Sequence, residues 1–155
     1  GTTNMQRRLF IQTLTAVATV SALPLLAQTA IPEVEVWKDA GCGCCKDWIA
    51  HMRSNGFSVR AHDSGNTAAR ARLGLPQKLG SCHTALVGGY VVEGHVPVSD
   101  VKRLLKERPK ALGLAVPGMP VGSPGMDGLE YGGRKDRYEV LLVQADGSTR
   151  TFSRY

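Results

Sequence analysis

The sequence lacks the features that would assign it to several common functional classes. Aromatic residues make up only 6% of its 155 residues, and the basic residues behind the formal net charge of +6 are scattered along the chain. Because no basic block is interleaved with aromatic side chains, nucleic-acid binding is not indicated. The sequence also has no internal repeats, no phosphate-binding loop and no Ser/His/Asp arrangement. Repeat proteins, nucleotide hydrolases and serine hydrolases are therefore poor matches.

Acidic residues are missing from the beginning of the chain, where the first one is Glu33. Arg7 and Arg8 precede an apolar run over residues 9–26, and small residues follow it. A basic start, an apolar stretch and small residues near a cleavage point are typical of a signal peptide. The arginine pair also resembles the twin-arginine export motif, and a general secretory signal is the alternative.

We therefore expect two parts in the chain. Residues 1–4 are interpreted as a remnant ahead of a native start at Met5, and residues 1–30 together as this remnant plus a removable leader. Polar residues and Pro24 weaken the apolar run as a membrane anchor, so no stable membrane insertion is expected after cleavage. Residues 31–155 then form one domain, which we expect in the periplasm.

Cysteine is scarce, and its distribution is the most informative feature of the sequence. Of four cysteines, Cys42, Cys44 and Cys45 fall within four consecutive positions, and Cys82 follows about forty residues later. The cluster comes after an apolar, β-branched segment and before a helical pattern, so Cys44 and Cys45 are expected in the first turn of a helix. Free backbone N–H groups and the helix dipole favour thiolates at that position.

Two chemistries fit such thiolates, metal binding and disulfide exchange. Cys42 and Cys45 have the C-x-x-C spacing of a thiol-disulfide oxidoreductase, whereas a bridge between the adjacent Cys44 and Cys45 would be strained. Three neighbouring thiolates repel one another unless a cation neutralises them, and this favours a metal. Disulfide pairing in an oxidising compartment and a structural zinc site on the four sulfurs remain alternatives.

The order of predicted elements is strand, thiol turn, helix, strand, helix, hairpin, helix and a second hairpin. The predicted strands are residues 33–38, 57–62, 85–87, 90–93, 137–143 and 148–155. The first helix is expected to stop at Gly56, Asn66 and Ser99 are predicted N-caps, and residues 113–128 are interpreted as a loop. This thioredoxin-like order predicts an α/β fold, a mixed sheet with flanking helices and a C-terminal β-hairpin extension. It also places Cys82 beside the start of the first helix.

Several stretches together resemble the CopG-type copper-resistance proteins, a periplasmic family long catalogued as a domain of unknown function. They are VEVWKDAGCGCC, GSCHT, VEGHVP and GLAVPGMPVGSPGM, and the likeness runs from about residue 34 to residue 155. The resemblance implies a thioredoxin-like fold, a role in copper tolerance, and copper bound as Cu(I) by the cysteines, with a multinuclear thiolate cluster as one form of the site. For this family, sequestration of copper and electron transfer to or from copper both remain open.

Two methionines are further candidate ligands. Met119 and Met126 lie seven residues apart in a segment rich in Gly and Pro that shows no helix or strand periodicity. Thioether sulfur is a soft ligand that prefers Cu(I), so either residue would suit a lid over the thiolates. Ordinary packing is the alternative, since Met often fills gaps.

Two histidines are candidates for the same site. His83 follows Cys82, and neighbours in a strand point to opposite faces, so both face one pocket only where the strand bends. His95 can reach the site only if its loop folds back. His51 and His62 are expected on the surface of a helix and a strand.

These observations lead to one hypothesis for the mature chain. We expect a periplasmic Cu(I)-thiolate protein with Cys42, Cys44, Cys45 and Cys82 as ligands, acting in copper resistance by buffering or chaperoning copper or by interconverting Cu(I) and Cu(II). Glycines at 41 and 43 would let the loop curl around the metal. The expected partners are copper ions and other periplasmic copper-handling proteins. A copper oxidoreductase activity is compatible with this hypothesis.

Overall fold

In the computed structural model, which describes residues 30–155, seven strands form one mixed sheet. The predicted export leader lies outside the described residues except for Ala30. The strands are β1 (Val34–Lys38), β2 (Val59–His62), β3 (His83–Val87), β4 (Tyr90–Glu93), β5 (Gly113–Ala115), β6 (Glu139–Val143) and β7 (Thr149–Arg154). The helices are α1 (Gly43–Ser54), α2 (Thr67–Arg72) and α3 (Val98–Glu107), with 3₁₀ turns at Gln77–Leu79 and Leu129–Tyr131. Within this part of the chain, no helix has the length and apolar character needed to cross a bilayer.

The strand order in the sheet is β2-β1-β3-β4-β5-β6-β7. β1 runs parallel to β2 and antiparallel to β3, and β4 runs antiparallel to β3 and parallel to β5. The hairpin of β6 and β7 then extends the sheet beyond β5. The predicted α/β class is therefore confirmed, including its mixed sheet and C-terminal hairpin.

The main core forms between the buried face of β1, where every second side chain points inward, and the apolar stripe of α1. Val34 and Val36 point to the buried side of β1, and Trp48, Ile49 and Met52 form the buried stripe of α1 that packs on them. β-Branched side chains fit a pleated, half-buried surface, which explains why this segment forms a strand. The other members of the core include Ala85, Val87, Val92, Val101, Leu104, Leu114, Val140 and Leu142.

Several predicted boundaries differ from the structure. β2 begins only at Val59, β3 begins already at His83, and α3 begins at Val98 with Pro97 as its N-cap rather than Ser99. Asn66 does occupy the N-cap position of α2, but its side chain makes no cap hydrogen bond. The side-chain amide of Asn66 donates a hydrogen bond to Ser81 instead, as described below.

β5 is an element that sequence periodicity did not predict. Its three residues are all buried, so there is no alternation of apolar and polar side chains to detect. Gly113 runs against β4 so closely that a Cβ atom there would lie 1.7 Å from the Val91 carbonyl oxygen. A side chain is therefore excluded at this position, and the predicted loop begins with a strand.

We predict that Leu114→Ala will destabilise the protein by about 2–5 kcal/mol, because it removes a fully buried side chain from the core. The matched control is Leu129→Ala, since Leu129 is 100% exposed and loses no buried contact. Urea unfolding of both variants measures the difference. Equal stability of the two variants would show that β5 does not pack as described.

Candidate metal centre

The strand register explains how distant cysteines meet. β1 ends at Lys38, which pairs directly with His83, the first residue of β3. Because the two strands are antiparallel, the loop after Lys38 and the residue before His83 lie at the same end of the strand pair. That loop leads through Cys42, the N-cap of α1, and the residue before His83 is Cys82. The pairing of β1 with β3 therefore places Cys82 beside the start of α1.

The four cysteine sulfurs lie in one cluster, and all of their Sγ atoms are within 4.8 Å of one another. The Sγ atom of Cys44 is 3.6 Å from that of Cys42 and 3.7 Å from that of Cys82. Cys42 and Cys45 form a disulfide, and Cys44 and Cys82 carry free thiols. Cys45 Sγ lies 3.5 Å from the Cys82 carbonyl oxygen. This is a van der Waals contact and not a hydrogen bond, because a disulfide sulfur has no proton to donate.

The disulfide joins the two cysteines with C-x-x-C spacing, so this structure represents an oxidised form of the cluster. Ligation by four thiolates stays a prediction for the reduced form. The expected role of the glycines differs from the structure, because neither Gly41 nor Gly43 adopts a positive φ and a Cβ on either would meet nothing within 4 Å. Their backbone freedom is not what shapes the loop.

The electrostatics of Cys82 differ from those predicted for the cysteines in the first turn of α1. Burial, together with the neighbouring Cys44 sulfur, raises the pKa of the Cys82 thiol to about 12. Cys82 does not belong to α1, so its sulfur is not one of the helix's own first-turn groups, which the dipole favours most. Without a bound metal, Cys82 therefore keeps its proton.

His95 reaches the cluster because its loop folds back. Its Nδ1 lies 2.7 Å from the Pro124 carbonyl oxygen, and its Nε2 lies 3.1 Å from Cys82 Sγ. A carbonyl only accepts hydrogen bonds, so Nδ1 carries the proton and Nε2 presents a lone pair to the sulfur. Burial lowers the pKa of His95, which keeps the ring neutral.

His83 lies on the other side of Cys82, with its Nδ1 3.5 Å from Cys82 Sγ. Cys82 precedes the first residue of β3, so strand alternation does not force the two side chains apart. Burial first, and then His95, lower the pKa of His83 to about 3. Its ring packs on Trp48 and its Nε2 has no hydrogen-bond partner among the described residues. Cys82, His83 and His95 thus form a second group of donor atoms within 4.8 Å of one another.

The segment after β5, residues 116–128, passes over the start of α1, and we call it the covering loop. At Gly125, with φ of +87°, a Cβ atom would lie 2.7 Å from the Cys44 carbonyl oxygen. Met126 is buried, and its Sδ accepts a hydrogen bond from the Tyr131 hydroxyl at 3.4 Å. Met119 is 51% exposed and lines a cavity of about 370 Å³ with Cys82. Ligation by either methionine stays a prediction.

A buried ion pair that sequence analysis missed holds the residue before Cys82. Glu93 is fully buried, and its Oε1 accepts hydrogen bonds from Arg70 Nε at 2.8 Å and from the Ser81 backbone N–H at 2.7 Å. Its Oε2 accepts from the Thr84 hydroxyl at 2.6 Å. Burial raises the pKa of Glu93, and these donors counteract that effect.

The carbonyl group of Ser81 is held from the same side. Arg70 Nη2 donates to it at 2.7 Å and Asn66 Nδ2 at 3.0 Å. Both backbone groups of Ser81 are therefore fixed by buried side chains, and we call this arrangement the Ser81 clamp. The signal in the sequence was Glu93 itself, a charged residue in the otherwise apolar strand β4.

The other two histidines have structural contacts. His51 is not an ordinary surface residue, because its Nε2 accepts a hydrogen bond from the Val98 backbone N–H at 3.1 Å, at the start of α3. His62 is partly exposed, contacts Glu35 at 2.7 Å and stacks on Trp37. Neither belongs to the donor groups around Cys82.

We predict that Glu93→Gln will cost about 3–5 kcal/mol of stability, because it leaves Arg70 charged and unpaired in the interior. Loosening of the Ser81 clamp should also let a thiol reagent label Cys82 faster, which peptide mass spectrometry of the metal-free protein would measure.

The control is Glu139→Gln, which removes the partner of Arg154 from a surface pair of the same 2.8 Å length. Its cost should be about 1 kcal/mol or less. If Cys82 labelling were equal in both variants, the clamp would not position this cysteine.

Known proteins share sequence and fold with this chain. The family model "Protein of unknown function, DUF411" matches residues 79–126, which include Cys82, both histidines of its donor group and both candidate methionines. Two solved structures, "Copper resistance protein copG- Form 1" and "Form 2", are each 46% identical to the chain and superpose with a TM-score of 0.75. Each covers 81% of this chain, and the match spans 98% and 99% of theirs. No curated protein matches the chain.

Proposed function

The chain belongs to the family of the copper resistance protein CopG, and we propose that it is a periplasmic, thioredoxin-like protein that binds Cu(I) as its cargo. In this proposal, a thiol reductant reduces the Cys42–Cys45 disulfide and is itself oxidised to a disulfide, which leaves four cysteine thiols; these lose their protons as they bind one or several copper ions. The observation that carries the proposal is the convergence of all four Sγ atoms within 4.8 Å.

The donor set fits copper better than a hard cation. The two clusters of metal-ligating side chains among residues 30–155 contain only cysteine sulfur and histidine nitrogen, with no carboxylate. Thiolate and thioether suit Cu(I), and imidazole suits both oxidation states, whereas Mg²⁺ and Ca²⁺ require oxygen ligands. His83 Nδ1 lies 3.5 Å from Cys82 Sγ and His95 Nε2 lies 3.1 Å from it, so two nitrogen donors stand beside this sulfur.

Binding requires Cys82 to lose its proton, because the thiolate is the ligand. His95 Nε2, 3.1 Å from the sulfur, is placed to accept that proton or to bind the incoming ion itself. The charge of a bound metal ion lowers the pKa of a ligating thiol, which offsets the effect of burial. Copper binding therefore releases protons into solution.

Interconversion of Cu(I) and Cu(II) is favoured over simple buffering by the two imidazoles beside Cys82. A site of thiolates alone suits Cu(I), and the added nitrogen donors extend it to Cu(II). The Cys42 and Cys45 thiols can supply two electrons, so that two Cu(II) ions become two Cu(I) ions while one disulfide forms and two protons leave. The disulfide in this structure supports the oxidised end of that step.

We expect Cys82→Ser to lose most of the Cu(I) bound by anaerobically purified protein, together with the absorption and luminescence of a Cu(I)-thiolate site. His95→Gln should keep Cu(I) but weaken Cu(II) binding by about 10–100-fold. His62→Gln is the matched histidine control and should bind as the wild type does. A protein that contains one zinc ion, takes up no copper and unfolds when zinc is removed would contradict the proposal.

A thiol-disulfide oxidoreductase is the second candidate, and the Cys42–Cys45 disulfide is the observation that favours it. Cys44→Ser separates the two functions, because it removes a copper ligand and leaves the disulfide pair intact. We expect this variant to lose much of its copper stoichiometry. Insulin-reductase activity that is unchanged in Cys44→Ser and insensitive to copper chelators would favour the oxidoreductase instead.

A further inference from the structure

An apolar groove lies at the opposite end of β3 from the metal centre. It has a cavity volume of about 580 Å³, and its apolar wall includes Ile31, Phe57 and Leu105. Ile31 is 56% exposed although it is a large aliphatic side chain. Gly88, which follows the last residue of β3, belongs to the same wall, whereas Cys82 precedes the first. At about 3.3 Å per residue, the two ends are about 20 Å apart.

The border of the groove is positively charged. Lys102, Lys106 and Arg108 line it, and none of them has an acidic partner among the ion pairs of residues 30–155. Glu107, on the same helix, pairs with Arg103 at 3.5 Å instead. Arg108 lies over the Tyr90 ring. The groove therefore combines an apolar interior with uncompensated positive charge.

This combination matches the surface of an anionic bilayer. Apolar side chains enter the region between head groups and acyl chains, while lysines extend their charged ends to the phosphates. A second copy of the chain is a poor occupant, because two cationic borders would face each other.

We propose that the groove bordered by Lys102, Lys106 and Arg108 is a peripheral docking site for anionic phospholipid bilayers. The contact is at the interface and is not an insertion. It turns the metal centre, at the other end of β3, away from the lipid and toward the aqueous phase.

The test is flotation of the full chain with vesicles of phosphatidylcholine, with and without phosphatidylglycerol. Wild-type protein should bind the anionic vesicles more tightly, and added salt should weaken binding. The double variant Lys102→Gln/Lys106→Gln should bind them about 25-fold more weakly, at about fivefold for each charge removed. Ile31→Ser should lose about fivefold through its apolar contact.

The matched control is Lys78→Gln/Arg150→Gln, which removes the same charge at exposed positions outside the groove. It should change binding by less than about twofold, since charges beyond a Debye length are largely screened. All variants carry residues 1–29, so any binding by that segment is common to them. Equal losses in both double variants, equal binding to both kinds of vesicle, or wild-type binding by Lys102→Gln/Lys106→Gln would each overturn the proposal.

Discussion

The buried ion pair between Arg70 and Glu93 is the constraint on which the candidate metal centre depends. Burying two charges is costly, and the cost is offset only where geometry is good and the remaining donors and acceptors are satisfied. Here the partners that satisfy them include both backbone groups of Ser81. The hydrogen bonds that satisfy the buried Arg70 and Glu93 side chains therefore also fix Ser81, the residue before Cys82. Helix α2, strand β4 and the approach to β3 are joined at this one point.

Sheet topology and local helix structure then define the pocket together. The Lys38–His83 register brings two loops together at one end of the β1–β3 pair. The start of α1 places Cys42 and Cys44 at that same end. Burial keeps His83 and His95 neutral, so their nitrogens are available as donors, while it keeps Cys82 protonated. One environment would thus leave the imidazoles free to bind the proposed metal and keep the thiol protonated until that metal bound.

Local patterns predicted the parts of this structure that depend on neighbours in sequence. Short-range signals predicted the position of Cys44 and Cys45 at the start of α1, the hairpin of β3 and β4, and the C-terminal hairpin. The approach of Cys82 to the other cysteines followed from element order. β5 could not be predicted, because three buried residues have no period, and neither could the Ser81 clamp, because its partners come from separate segments. The resting redox state of Cys42 and Cys45 depends on solution conditions that no residue pattern encodes.

The hydrogen bond between His95 and the Pro124 carbonyl couples the covering loop to the chemistry of the pocket. While the loop is in place, the imidazole is held as one tautomer and its lone pair faces Cys82. Displacing the loop would free the ring to exchange its proton between nitrogens and to rotate. Displacing the covering loop would therefore also move the His95 nitrogen away from Cys82. If the site binds copper as proposed, a partner that displaced this loop would remove the His95 donor before it contacted any cysteine sulfur.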